Sequence, residues 1–439
     1  MCVTAKTAPG ETVSFESSSH SLASRDRKSL WHPFTQHGLD EELLVITRAA
    51  GAYLYLNDGT KLLDAISSWW CNLHGHCHPE LVKVASRQFA KLDHVLFAGC
   101  THEPAVELAE ALLEATSRKF DRVFYSDNGS TSVEVALKMA VQWWFNQGKS
   151  RSTIIALEDA YHGDTFGAMA TGARGIFSAP FNSMMFDVSY VSTTGSSEDI
   201  EKLHRLAASN NIAAFIYEPL VQGAGGMKMY AEDVLNSYLS ICKEHNIPCI
   251  ADEVMTGFGR TGPLFTSLTL QHSPDILCLS KGLTNGTIPL SATLCTARIY
   301  DEFLSSDHTR TFFHGHTFTG NPIACSVALK SLELTMSTDC EKQRTEIAEQ
   351  NRQCIEQLAQ YDSVLNPRYR GTILAFDLQT NNETSYTNSA KTKIMEFFRA
   401  KNVLIRPLGN TIYCMPPFCT NPTDLKEAHE AILSFVKEV

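Results

Sequence analysis

From about residue 120 onward, short apolar runs rich in β-branched residues alternate with longer stretches of helical periodicity. This alternation is typical of an α/β fold in which helices cover a mostly parallel sheet. Only residues 282–290 separate the last two apolar runs, too few for the crossover that parallel strands need, so the last strand is expected to run antiparallel. The pattern predicts seven strands, which begin near Val123, Thr153, Phe186, Ala213, Pro248, Ile276 and Ser291.

The chain on either side of this sheet predicts a smaller α+β domain. Two apolar runs flank an Asp58-Gly59 turn and predict a hairpin over residues 53–64. A long helical pattern follows Asn321-Pro322, and strands are expected near residues 373–378 and 411–415. We therefore divide the chain into a mobile N-terminal tail over residues 1–28, a first part of the small domain over 29–85, a large domain over 86–335 and a C-terminal part of the small domain over 336–439.

The composition and net charge of the chain argue against several classes of function. No apolar run of this 439-residue chain approaches the roughly 18 residues of a membrane span, which argues against a transmembrane role. With 37 basic and 48 acidic residues the net charge is -11, so nucleic acid would be repelled. The 13 cysteines include no CxxC pair and favour reduced thiols in the cytoplasm. Glu11 and Glu16 count against a mitochondrial transit peptide, although that location stays open.

Two predicted strands end in an amine and a carboxylate that could act together on one cofactor. Lys281 follows the apolar run that begins at Ile276, and Asp252 follows the run that begins at Ile247. An amine that forms a Schiff base and an acid that pairs with a pyridinium nitrogen are what pyridoxal phosphate needs from a protein. The sequence therefore predicts a pyridoxal-phosphate enzyme.

A third strand end predicts the phosphate site. Residues 123–126 are followed by a turn at 127–130 and a helical pattern over 131–144, and a helix N-terminus binds phosphate through free backbone amides. Thr131 and Glu134 also fit a capping box, which alone would mean only a well-capped helix. Because the same sheet carries Asp252 and Lys281, we favour the phosphate site. Tyr161 follows the strand that begins at Thr153 and could stack on a planar cofactor.

Other motifs in the sequence match different kinds of site less well. Residues 257–262 match GxGxxG, but Pro263 follows directly and no helix opens there, which disfavours a dinucleotide site. No GxxxxGK[ST] supports an ATPase. Histidines at positions 74, 76 and 78 and at 314 and 316 have spacings that ligands can adopt, yet no CxxC or HExxH accompanies them. We predict no metal site.

These motifs together resemble the class III, fold type I aminotransferases, from about Leu30 to the C-terminus. The resemblance is carried by residues 251–262, by 273–276 and by Lys281. It implies that Lys281 binds the cofactor covalently and shuttles the proton, and that Asp252 holds the pyridinium proton. It also implies a homodimer in which one subunit completes its partner's phosphate site. The remaining cofactor contacts that it implies are Gly129, Ser130, Tyr161, Glu218, Val254, His316 and Thr317.

Within this family, residues 30–35, 67–70, 161–168 and 405–407 resemble the branch that serves biotin synthesis. The expected reaction is transamination of 8-amino-7-oxononanoate with S-adenosylmethionine as donor, and Arg406 is expected on the nonanoate carboxylate. The expected substrate contacts are Phe34, Trp69, Trp70, Tyr161, Asp164, Lys281, Gly315 and Arg406.

Two departures from the family pattern leave alternatives open. Phe34 stands where tyrosine is common and His316 where proline is common, so lysine is an alternative donor. Another class III ω-aminotransferase acting on diamines or ω-amino acids is the nearest alternative enzyme. From a different class, a catalytically silent relative kept for scaffolding is disfavoured by the intact Lys281 and Asp252.

Overall fold

The structure is a computed structural model that describes residues 21–39, 42–379 and 390–438. The strands are β1 Ile46–Ala50, β2 Tyr53–Leu56, β3 Lys61–Asp64, β4 Arg122–Ser126, β5 Thr153–Leu157, β6 Val188–Val191, β7 Ile212–Tyr217, β8 Val221–Gln222, β9 Lys228–Met229, β10 Cys249–Asp252, β11 Ile276–Leu279, β12 Ser291–Cys295, β13 Val364–Arg370, β14 Ile373–Leu378, β15 Val403–Leu404 and β16 Thr411–Cys414. The helices are α1 Leu22–Ser29, α2 Ser67–Trp70, α3 Pro79–Lys91, α4 Glu103–Ala115, α5 Gly129–Asn146, α6 Phe166–Thr171, α7 Ser197–Ala208, α8 Glu232–Glu244, α9 Ala297–Tyr300, α10 Pro322–Thr335, α11 Thr338–Leu358, α12 Ala390–Ala400 and α13 Pro422–Glu438.

The large domain is built on a seven-stranded sheet with the order β4-β12-β11-β10-β7-β5-β6. β12 pairs antiparallel with both β11 and β4, whereas the other neighbours are parallel. The α/β fold class, the seven strands and the antiparallel seventh strand are therefore confirmed. The third strand begins at Val188 rather than near Phe186.

The central strands are buried on both faces, which explains why they appear in the sequence as continuous apolar runs. In β11, Ile276 and Cys278 pack with α5 in one cluster, while Leu277 and Leu279 pack in the cluster on the opposite face. Full burial of one such leucine contributes roughly 1.5–3 kcal/mol. This rigid sheet fixes where its carboxyl ends lie.

The smaller domain draws on both ends of the chain. The predicted hairpin forms between β2 and β3, and β15 adds parallel to β3 from the C-terminal part. A second antiparallel sheet, β13-β14-β16, packs against α11, which confirms the two predicted C-terminal strands. The long helical pattern is α10, whose N-cap is Asn321.

Within the segment predicted as a tail, α1 occupies the last residues and its side chains are not buried, while residues 1–20 lie outside the described residues. No helix in the described ranges is long and apolar enough to cross a membrane. The twelve cysteines in those ranges are all free thiols.

Candidate active site

A cavity of about 420 Å³ opens at the carboxyl ends of the parallel strands, where open α/β sheets bind ligands. Its lining includes these residues predicted from sequence: Trp70, Gly129, Ser130, Tyr161, Glu218, Asp252, Val254 and Lys281. The lining residues to which the sequence had given no role include His162, Asn128, Ser280, Thr284 and residues 288–290.

Lys281 enters the cavity just beyond the end of β11. It opens a 3₁₀ turn over Lys281–Thr284, and its Nζ lies 4.8 Å from the centre of the Trp70 ring. Burial lowers the pKa of the Lys281 amine, against the opposing effect of Asp252 and Glu218. A lowered pKa makes the neutral amine more available as a nucleophile towards a carbonyl.

Asp252 ends β10 and is held by two donors. Its Oδ2 lies 2.7 Å from Nδ1 of His162, and its Oδ1 accepts a hydrogen bond of 3.0 Å from the Val254 amide. Both side chains are buried, and Nε2 of His162 has no partner among the described residues. The carboxylate is therefore fixed in one orientation inside the cavity. Sequence reasoning gave His162 no role, because the two residues are 90 positions apart and only its place beside Tyr161 hinted at the site.

The N-terminus of α5 forms one wall and suits an anion. Asn128 caps the helix by accepting from the Thr131 amide at 3.0 Å, and Oγ1 of Thr131 accepts from the Asn128 amide at 3.1 Å. The amides of Gly129 and Ser130 have no acceptor among the described residues, so they can bind a phosphate. A Cβ on Gly129 would lie 2.7 Å from Cγ1 of Val254, so only glycine fits there.

The capping box predicted from Thr131 and Glu134 is wrong. Asn128 and Thr131 form the box, because the helix begins at Gly129, two residues before the predicted start. Glu134 instead accepts hydrogen bonds from Oγ1 of Thr165 at 2.6 Å and from the Gly167 amide at 2.7 Å. This carboxylate thus ties α5 to the start of α6, which follows the Tyr161 loop.

Glu218 is a buried carboxyl group that holds two cavity walls together. Its Oε2 accepts from the Tyr161 amide at 3.1 Å and its Oε1 from the Gly223 amide at 2.9 Å. Burial raises the pKa of Glu218 to about 7, although the nearby His162 opposes this effect. Burial, with a smaller contribution from Asp164, also raises the pKa of the Tyr161 hydroxyl, which therefore stays protonated.

The raised pKa of Glu218 predicts a pH-dependent cost of folding. Between its ordinary pKa of 4.5 and the folded value of about 7, the unfolded chain loses this proton while the folded chain keeps it, so stability falls as the pH rises. The cost reaches at most roughly 3 kcal/mol. We expect the melting temperature of cofactor-free Glu218→Gln, compared with wild type, to improve from about pH 5 and to level off above about pH 7.

The control for this experiment is Glu110→Gln on the exposed side of α4. Its melting temperature relative to wild type should stay constant over the same pH range. A constant difference for Glu218→Gln as well would show that Glu218 is not protonated in the folded chain.

Three of the predicted substrate residues meet around a second cavity of about 520 Å³. Trp69, Trp70 and Arg406 line it, and Trp70 also lines the first cavity, so its indole separates the two. Cζ of Arg406 lies 5.7 Å from the centre of the Trp69 ring. Phe34 lies outside this lining but packs against Trp69, with ring centres 5.6 Å apart.

Besides Phe34, four predicted residues line neither cavity. Asp164 is exposed, and its amide donates to Oγ of Ser130 at 3.1 Å, so it lies beside the phosphate wall. Gly315, His316 and Thr317 are not brought to the site of their own chain. The His316 amide donates to Oγ1 of Thr319, and Thr317 is exposed. Their predicted place in the neighbouring subunit's site stays a prediction.

Three of the five histidines considered as metal ligands have other partners, whereas Nδ1 of His78 and Nε2 of His316 are buried with no partner among the described residues. Nε2 of His74 is bound to the Ser331 carbonyl at 3.0 Å, and burial lowers the pKa of His74 to about 4. Nε2 of His76 pairs with Asp64 at 2.8 Å. Lys138 lies 3.1 Å from Nδ1 of His314. In the part of the chain that the structure describes, no group of three or more metal-binding side chains was found.

The glycine-rich run over residues 257–262 forms successive turns rather than a phosphate loop that opens a helix. Arg260 within it is buried and donates to the carbonyls of Pro416 at 2.8 Å and Asn72 at 3.0 Å. The run therefore joins the large domain to the small one.

Comparison with known proteins agrees with this geometry. The sequence matches the family model described as Aminotransferase class-III over residues 34–436. It is 44% identical to adenosylmethionine-8-amino-7-oxononanoate aminotransferase of Synechococcus elongatus, over 93% of this chain and 99% of the relative. The crystal structure of the enzyme of that name from Methanocaldococcus jannaschii superposes with a TM-score of 0.90, at 33% identity over 95% of this chain and 99% of that one. The crystal structure of an amine transaminase from an uncultivated Pseudomonas species, solved with pyridoxal phosphate bound, superposes with a TM-score of 0.85. The two sequences are 31% identical, over 93% of this chain and 98% of that one.

Proposed function

The chain belongs to the class III aminotransferases, which use pyridoxal 5'-phosphate, and we propose that it transfers an amino group from S-adenosylmethionine to 8-amino-7-oxononanoate. The product is 7,8-diaminononanoate, and the reaction belongs to biotin synthesis. The observation that carries the proposal is the joined pair of cavities. One gathers Lys281, Asp252 and the free amides of α5, and the other presents Arg406 beyond the Trp70 indole.

The residues of the first cavity fit the cofactor. When bound, pyridoxal phosphate supplies an electron sink that stabilises the charge left by removal of an α-proton. The Lys281 amine would anchor the cofactor and move that proton, and the Asp252 carboxylate would hold a proton on the ring nitrogen. The amides of Gly129 and Ser130 bind the phosphate. Glu218 fixes the backbone of Tyr161, which lines the same cavity and whose ring would contact the bound cofactor.

The second cavity fits a long substrate with a terminal carboxylate. Arg406 offers the planar fork that binds carboxylates bidentately, and Trp69 provides apolar contact area for a methylene chain. Phe34 carries no hydroxyl and lines neither cavity, so it acts on the donor through the Trp69 ring against which it packs.

A screen of the first half-reaction tests the donor. Purified holoenzyme is mixed with S-adenosylmethionine, lysine or a simple ω-amine while the visible absorbance of the lysine-bound cofactor is followed. Bleaching by S-adenosylmethionine, followed by formation of 7,8-diaminononanoate after 8-amino-7-oxononanoate is added, is the expected result. Bleaching by lysine alone would make lysine the donor. Bleaching by ω-amines without use of the keto acid would assign the chain to the ω-aminotransferases.

Arg406→Ala is expected to raise the Michaelis constant for 8-amino-7-oxononanoate by about 10–100-fold, because the variant loses a hydrogen bond between two charged groups. The bleaching rate with the donor should change little, because the keto-acid carboxylate takes no part in that half-reaction. Arg352→Ala is the matched control, since Arg352 lines neither cavity and its ion pairs among the described residues are with glutamates on α11. An unchanged Michaelis constant would remove Arg406 from this role.

We also propose that the enzyme works as a cytoplasmic homodimer. Support comes from Phe313 and Phe318, which flank residues 315–317 and are exposed, since apolar side chains grouped on a surface favour a protein contact. The free thiols are what a reducing cytoplasm maintains. Sedimentation velocity of the holoprotein tests the assembly, because a monomer would leave Gly315, His316 and Thr317 without a site.

A further inference from the structure

The turn that carries Trp69 and Trp70 has an unusual backbone. Ser67, Ser68 and Trp70 have φ angles of 52°, 60° and 67°, and Ser68 combines its value with a ψ of -96°. None of them is glycine, and such conformations cost about 1–3 kcal/mol each. They persist only where the surrounding structure holds them in place, so the contacts of this turn identify what holds it.

The main restraint is Asp64, at the end of β3. Its side chain is fully buried, and Oδ2 accepts hydrogen bonds from the Ser68 amide at 2.6 Å and from Nε2 of His76 at 2.8 Å. Oδ1 lies 3.4 Å from the Ile66 amide. A second restraint is Oγ of Ser67, which donates to the Met415 carbonyl at 2.7 Å. His76 thus orients the carboxylate that fixes the turn.

The turn sends two successive indoles to different places. Trp70 forms the wall between the two cavities, with its ring beside Nζ of Lys281 and its Nε1 donating to the Tyr413 hydroxyl at 2.9 Å. Trp69 lines only the second cavity, close to Arg406. Asp64 itself lines neither cavity, so any effect it has on a substrate must pass through the turn.

We propose that Asp64, oriented by His76, is a positioning residue that sets the separation between the Lys281 cavity and Arg406 and thereby selects the chain length of the substrate. A substrate whose carboxylate binds Arg406 must pass the Trp70 indole to bring its reacting carbon to Lys281. The indole position therefore fixes how many methylene groups fit between the two groups. This inference rests on the proposed function, because it needs a substrate that spans both cavities.

The test compares Asp64→Asn with Asp58→Asn. Both aspartates belong to the β2–β3 hairpin and undergo the same change, but Asp58 is exposed and accepts a hydrogen bond from the Thr60 amide of its own turn. The asparagine at position 64 lacks the charge that strengthens the bonds from Ser68 and His76 to Oδ2, and it turns an NH₂ donor towards the Ile66 amide, so it holds the turn less tightly. Michaelis constants and kcat are measured with 8-amino-7-oxononanoate and with homologues shorter and longer by one methylene group.

Asp64→Asn should raise the Michaelis constant for 8-amino-7-oxononanoate about tenfold, which is the effect expected from weakening one hydrogen bond to a charged group. It should also reduce the enzyme's preference for 8-amino-7-oxononanoate over the shorter and longer homologues. The kcat and the bleaching rate with the amino donor should stay within about twofold, a split that general misfolding would not give. Asp58→Asn should match wild type throughout. His76→Leu has no hydrogen-bond donor and removes the orienting contact, and it should shift the length preference in the same direction even if Asp64→Asn fails to fold.

An unchanged length preference in the variants would overturn the inference, as would an equal loss of kcat and of donor bleaching. Failure of the proposed function is a different result. In that case wild-type enzyme itself would not use 8-amino-7-oxononanoate, whatever the behaviour of the variants.

Discussion

Replacing Lys281 with alanine is expected to lower turnover by at least about 10⁴-fold, because one side chain both anchors the cofactor and moves the proton. Lys281 lines the first cavity, and its amine lies beside the Trp70 ring. Alanine leaves the α5 amides and Asp252 untouched, so the variant should still bind the cofactor through phosphate and ring contacts. It should lack the borohydride-sensitive visible band of the lysine-bound form.

The melting temperature of Lys281→Ala distinguishes loss of the chemical role of the lysine from misfolding of the variant. Burial lowers the pKa of Lys281, which means that the folded chain disfavours its charged form and that the amine costs stability. The cofactor-free Lys281→Ala chain should therefore melt at the wild-type temperature or above it. Lys426→Ala, on an exposed position of α13, is the control and should keep full turnover. Normal transamination by Lys281→Ala would refute the assigned mechanism.

The fold could be predicted because its central strands are buried on both faces. Such strands appear as continuous β-branched runs, and the lengths between them decide which are parallel. The positions of Lys281 and Asp252 follow from the same pattern, since each lies at the end of a run and parallel strands end at one edge of a sheet. The predicted helix start failed by two residues, because Asn128 and Thr131 are both good capping residues and sequence alone did not separate them.

The contacts that tune the site could not be predicted. The pairing of His162 with Asp252 joins residues that follow two different strands, and no local sequence pattern predicts it. The strained turn at Ser68 has no sequence signature either, because positive φ is expected at glycine or asparagine and not at serine. Both features depend on tertiary structure, which supplies the partners that hold them.

Asp252→Asn should lower kcat by about 10²–10³-fold, the effect typical of removing one preorganised electrostatic contact from a reacting centre. Asparagine has the shape of aspartate but no charge, so it cannot hold a proton on the ring nitrogen, and the electron sink weakens. Nδ1 of His162 and the Val254 amide bind different oxygens of Asp252, so the single oxygen of asparagine keeps one of these two orienting bonds. The loss should therefore appear in kcat and in the ¹⁵N chemical shift of ring-labelled cofactor, which reports protonation of that nitrogen.

Glu253 provides a matched control for this experiment, because it is the next residue and is also a buried carboxyl group. It faces away from the cavity, where it accepts hydrogen bonds from the Ser267 amide at 2.7 Å and the Thr266 amide at 3.1 Å. Glu253→Gln should lower the melting temperature, since it weakens that network, yet leave kcat within a few-fold of wild type. Equal losses of kcat in the two variants would mean that charge at this strand end acts through the fold, and Asp252 would lose its assigned role.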